Sequence, residues 1–123
     1  EIKTVGMVRV HTVGVNETNT IGAMQQNTVG VNQDNTVGVN QSTTVGQNQT
    51  NTIGEKMIYE VGEEIILRTG KSSIHMLSDG TITIQGVDIT VKAEGEIKTQ
   101  SGKDTSVKAG GVISLKAKKV LGN

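Results

Sequence analysis

Glycine stands at positions 6, 14, 22, 30, 38, 46, 54, 62 and 70, nine times at a spacing of eight without a slip. The residue before it is Val5, Val13, Ile21, Val29, Val37, Val45, Ile53 and Val61, and only Thr69 departs from that rule. Thr precedes the pair at 4, 12, 20, 28, 36, 44 and 52, and Asn recurs two residues after the glycine at 16, 32, 40 and 48. Self-similarity at a fixed period implies a repeat architecture before any other. A helix is excluded, because at 3.6 residues per turn the glycine column would drift about 80° per repeat. Gly, Asn, Thr and Val are also weak helix formers, whereas Val, Ile and Thr favour strands. The octad therefore predicts one short strand per repeat, roughly 26 Å if fully extended. Corners are expected at Gly6, Gly14, Gly22, Gly30, Gly38, Gly46, Gly54 and Gly62, where glycine can reach dihedrals closed to other residues.

Composition shows that such strands cannot bury one another in a globule. The 123 residues include 16 Gly, no Pro, Cys, Trp or Phe, and a single aromatic, Tyr59. Leu occurs only at 67, 77, 115 and 121, too little bulk for one closed core. Intrinsic disorder fits no better, since the net charge is zero and Val and Ile are plentiful. Zero net charge also argues against nucleic acid as a partner. Without Cys there is no disulfide framework and no thiolate metal site. No apolar run approaches the ~20 residues of a membrane span, and no signal peptide is recognisable. The chain opens on Glu1 rather than Met, so it is expected to be a fragment of something longer.

Two stretches are expected: a regular glycine-paced β-helix over 1–70, and a degenerate octad prism over 71–123 leading to the C-terminal tip. In the second, Ile74 and Met76 are followed eight later by Ile82 and Ile84; after a one-residue slip come Ile89 and Val91, Ile97, Val107, Ile113 and Leu115. Interleaved Lys92, Lys98, Lys108 and Lys116 give the alternation of strands with one buried face. A single-chain solenoid of three octads per turn would have only five turns and a thin core. Three identical chains, each giving one face to every layer, supply the missing burial and satisfy closed symmetry. The trimer is the preferred reading. Its core is expected to comprise Val13, Ile21, Val29, Val37, Val45, Ile53 and Val61 of the first stretch, with Ile82, Ile84, Ile89, Val91, Ile97, Val107, Ile113 and Leu115 of the second. Stacking at ~4.8 Å per layer would give a rod on the order of 70 Å long.

The T-V-G-V-N repeat at 12–16, 28–32 and 36–40 resembles the valine–glycine repeat protein G (VgrG) family, the spike of type VI secretion systems. It is similar also to the triple-stranded β-helix of contractile-tail phage central spikes, and S-D-G-T-I-T-I-Q-G at 78–86 looks like the lower prism of that family. The resemblance implies an all-β fold, a triple-stranded β-helix or triangular β-prism of three intertwined chains. It also implies a needle driven through a target envelope by sheath contraction, in transient contact with the target membrane. A PAAR-repeat protein would sharpen the C-terminal end and effectors would ride there. Such a needle is cytoplasmic before firing and then secreted through the apparatus. The family's N-terminal base, which joins spike to tube, has no counterpart in the sequence, nor has an effector-bearing C-terminal extension.

A puncturing rod needs stiffness and a surface that does not stick. Interwound strands and ladders of Asn, Gln and Thr supply the first, at about 1 kcal/mol net per hydrogen bond. The lack of aromatics suits passage across a bilayer, where Trp and Tyr prefer the interface. No enzymatic activity and no cofactor are expected. Residues 98–119 hold Lys98, Lys103, Lys108, Lys116, Lys118 and Lys119 against Asp104 alone, either plain outward positions or a contact for an anionic partner. The tip-binding set is expected to be Lys116, Lys118, Lys119, Val120, Leu121 and Asn123.

Other motifs carry less. His11 and His75 could each form a three-His site on a trimer axis, but the alternation turns His75 outward and His11 occupies a polar column, so no metal site is expected. Glu60, Glu63 and Glu64 read as a solvated face offset by Lys56 and Arg68, with no His or nucleophile beside them. Three N-x-S/T matches, at Asn16, Asn40 and Asn48, are accidents of an Asn- and Thr-rich repeat. A trimeric adhesin would bring a heptad neck, which is missing, and an ice-binding solenoid needs its Thr column on one flat face, which corners at every octad would spread over three.

Overall fold

The computed structural model describes residues 2–122 and divides the chain into two units, Glu1–Thr52 and Ile53–Asn123. Among the described residues there is no helix, and no side chain is buried. The chain is all-β.

In the first unit the backbone bends at residues 6–7, 14–15, 22–23, 30–31, 38–39 and 46–47, that is, at each glycine and the residue after it. The reason for these bends differs from the expected one: none of Gly6 to Gly62 has a positive φ, and among the described residues such values occur only at Gly70 and Gly80. The octad corner is thus open to ordinary residues as far as its own dihedrals are concerned. Nor does crowding within the chain explain the glycine, since a Cβ on any of Gly6 to Gly62 would meet nothing within 4 Å. No described residue of this unit belongs to a paired strand.

The second unit contains a three-stranded antiparallel meander: β1 (Glu64–Thr69), β2 (Ser72–Leu77) and β3 (Ile82–Gln85), in the order β1-β2-β3. β-branched and aliphatic residues alternating with polar ones favour strands here as in the octads, but tight turns fold them onto one another. Thr69 pairs with Ser72 across a two-residue loop, and Gly70 takes φ 54° at the position where such hairpins call for glycine. The second turn is built by Asp79. Its Oδ1 accepts the Thr81 backbone N–H at 2.9 Å, Gly80 takes φ 92°, and the Leu77 N–H donates to the Thr81 carbonyl at 3.0 Å. The Ser78 N–H donates to the Glu63 carbonyl at 2.9 Å and closes the β1 side.

This meander corrects the octad reading of 71–85. Ile74 and Met76 do recur eight residues later as Ile82 and Ile84, but as antiparallel partners, Ile74 opposite Ile84 and Met76 opposite Ile82. Beyond it a bend at 87–88 falls one residue out of the octad frame, and bends at 94–95, 102–103, 110–111 and 118 follow, as others at 54–55 and 62–63 precede the meander. From Gly62 to Glu94 is 32 residues, four whole octads, so the one-residue slip in the apolar pattern is local and the corner frame resumes unshifted.

Candidate trimer interface

Paired residues of a sheet share a face. The register Ile65–Met76, Leu67–Ile74, Ile74–Ile84 and Met76–Ile82 therefore gathers Ile65, Leu67, Ile74, Met76, Ile82 and Ile84 on one face of the meander. That face carries no charge. Ile65 and Met76 are half-buried, while Leu67 remains 57% and Ile84 61% exposed, so one chain covers it only in part.

The opposite face holds Glu64, Ile66, Arg68, Ser73, His75 and Thr83. Here His75 Nε2 lies 2.8 Å from Glu64 Oε2, a hydrogen bond that becomes an ion pair when the imidazole is protonated. His75 turns away from Ile74 and Met76, as the alternation predicts. The Glu64 neighbour is a correction: the carboxylate has a His beside it, and among the described residues no ion pair joins Lys56 or Arg68 to the acidic cluster. At the second turn the Thr81 backbone N–H, and then the Thr81 side chain, hold the Asp79 carboxyl below the usual carboxylate range.

The octads present two apolar columns of different exposure. Residues before the glycine are about half covered by their own chain, as Val29 is at 50%, whereas those after it stand clear, as Val31 does at 90%. None of the expected core residues, Val13 through Leu115, is buried within one chain. At the C-terminal end Lys116, Lys118, Lys119, Val120 and Leu121 are all exposed, while Asn123 lies outside the described residues. Lys98 pairs with Glu96 at 2.9 Å; among the described residues no carboxylate pairs with the five lysines that follow it. Elsewhere His11 Nε2 stands 3.5 Å from Glu17 Oε2, and Asn19 Nδ2 donates to Glu17 Oε1 at 3.1 Å.

Bends at every eighth residue and apolar surface that no single chain covers describe a protomer of an assembly. The family model of the bacteriophage T4 gp5 C-terminal trimerisation domain matches residues 1–76. The chain belongs to that family. This trimerisation domain is a homotrimeric, structural module of the phage tail-spike kind. The match takes in every regular octad and continues through β1 and most of β2, ending at Met76. No curated protein matches the sequence.

The meander was the feature least visible beforehand, although it carried a signal. Asp79-Gly80 between alternating apolar residues, and Gly70 between Thr69 and Lys71, are hairpin signatures. The uninterrupted period of eight drew them into the repeat instead.

Proposed function

We propose that the chain is the needle of a type VI secretion spike of the VgrG kind: three copies wound into a triple-stranded β-helix, a rigid rod driven through the target envelope by a contracting sheath. The observation that supports this most directly is the octad frame of a phage-spike trimerisation domain, built on repeated T-V-G-V-N. The contracting machine supplies the work; the chain supplies shape and rigidity and catalyses nothing. Its load is carried by pairing between chains, because in the octads no strand pairs within its own chain among the described residues. It waits in the cytoplasm and leaves through the apparatus. Val13, Ile21, Val29, Val37, Val45, Ile53 and Val61 line the axis in the first stretch, continued by Ile89, Val91, Ile97, Val107, Ile113 and Leu115.

Lys116, Lys118, Lys119, Val120 and Leu121 from three chains form the seat for a PAAR-repeat tip protein, and effectors follow it. Two measurements test the reading. Sedimentation equilibrium should return an elongated trimer; a monomer ends the needle model. Deleting residues 116–123 should abolish capture of a PAAR-repeat protein, and unchanged capture removes the tip assignment.

A further inference from the structure

The octads specify that chains associate but not at which height. Residues 27–33 and 35–41 are both N-T-V-G-V-N-Q, so two chains displaced axially by eight residues would meet almost the same side chains. Repeats of this kind leave register weakly determined unless something unlike them fixes it. The meander is the element unlike them.

We infer that β1, β2 and β3 form a register-setting clasp: the face of Ile65, Leu67, Ile74, Met76, Ile82 and Ile84 closes on the same face of two further copies of this chain. Three observations carry this. The face is uncharged and apolar except for Thr69 and Ser72 at its hairpin end, Leu67, Ile82 and Ile84 on it stay more than half exposed, and the charged groups Glu64, Arg68 and His75 lie on the opposite side. Four of its six residues, Ile65, Leu67, Ile74 and Met76, fall inside the segment matched to the trimerisation domain, so the face is continuous with a trimer-forming surface. Corners in one frame lie on either side of the meander in sequence: the last before it is at 62–63, and after a bend at 87–88, one residue out of frame, the frame is recovered at 94–95. A copy shifted by eight residues would set one end of the clasp against 56–63 of another chain, which holds Lys56, Glu60 and Glu63, or against 86–93, which holds Asp88 and Lys92. That mismatch penalises every register but one.

The inference rests on the homotrimer and is independent of the needle reading. The chain has no Cys, so a full-length Ser42→Cys variant carrying a nitroxide reports axial alignment by pulsed electron paramagnetic resonance. The otherwise unmodified chain should sediment as a trimer with a single inter-label distance. Adding Ile74→Asn and Ile84→Asn should either add longer distances, one octad apart, or raise the trimer dissociation constant at least tenfold. If that pair of changes unfolds the meander, the milder Ile82→Ala should raise the dissociation constant several-fold with an unchanged circular dichroism spectrum. On the opposite face, His75→Ala should leave both readouts alone. A single distance and an unchanged dissociation constant in the Ile74/Ile84 and Ile82 variants overturn the clasp, as does an equal effect of His75→Ala. A monomeric unmodified chain overturns the trimer itself, a separate failure.

Discussion

The octads and the meander both set aliphatic residues among polar ones, yet one chain organises them differently. In the octads Val and Ile alternate with Thr and Asn, and the described backbone bends every eight residues without pairing to itself. Between Glu64 and Gln85 a comparable alternation is interrupted by Gly70-Lys71 and Asp79-Gly80, and the strands pair within the chain. The difference lies in turn chemistry rather than strand propensity. A corner that does not reverse the chain leaves its N–H and C=O groups for neighbouring chains, whereas a positive-φ glycine in a tight turn returns the strand upon itself. The first kind of segment depends on other copies for its order, and the second carries part of that order alone.

Substitutions that exchange these properties should have graded effects. The largest is expected for Met76→Asp, which places a charge on the uncovered apolar face: loss of the trimer in sedimentation, with destabilisation of about 3 kcal/mol or more per chain from an unpaired buried charge. Val37→Ala in an octad removes about two methyl-sized groups and should lower trimer stability by about 1.5 kcal/mol per chain in denaturant titration. Gly80→Ala should cost about 1 kcal/mol through strain at φ 92°, seen as a lower thermal midpoint of the meander. Gly38→Ala sharpens the contrast. Its own chain offers neither positive φ nor a contact within 4 Å, so any loss of trimer stability measures the crowding supplied by neighbouring chains.

The smallest effect is set by pH. The folded-state value of the Asp79 carboxyl lies below its ordinary one because the Thr81 N–H stabilises the carboxylate. Its contribution is therefore complete above the ordinary carboxylate range and is lost as pH falls through the lower folded value. The Thr81 amide resonance should shift in that acidic window, and Asp79→Asn should move it to the low-pH position at neutral pH.

Much of this was legible in the residues. The period of eight predicted an all-β chain without helices and a family of trimeric spikes, because those features depend on pattern alone. Ile74, Met76, Ile82 and Ile84 were also read as one inward-facing set; what escaped was their antiparallel pairing, since a hairpin of suitable length reproduces a spacing of eight. The Glu64–His75 contact escaped for a related reason. The two residues are eleven apart, and only the register of β1 against β2 brings them together. The explanation of the octad glycines was wrong in kind, because propensity arguments look to the dihedrals of one chain, and these dihedrals make no demand.

The interval of four octads between the corners at Gly62 and Glu94 has a consequence for how such a chain can change length. A threaded rod can be cut and rejoined only where the thread stays in phase. Excising 32 residues, from 63 to 94, would join Gly62 to Gly95 and place the next bend, at 102–103, one octad after Gly62. Insertions or deletions in any count that eight does not divide would turn every later apolar residue toward a different face. The corner-to-corner interval that contains the clasp is a whole number of octads, although the span of the three strands themselves is not.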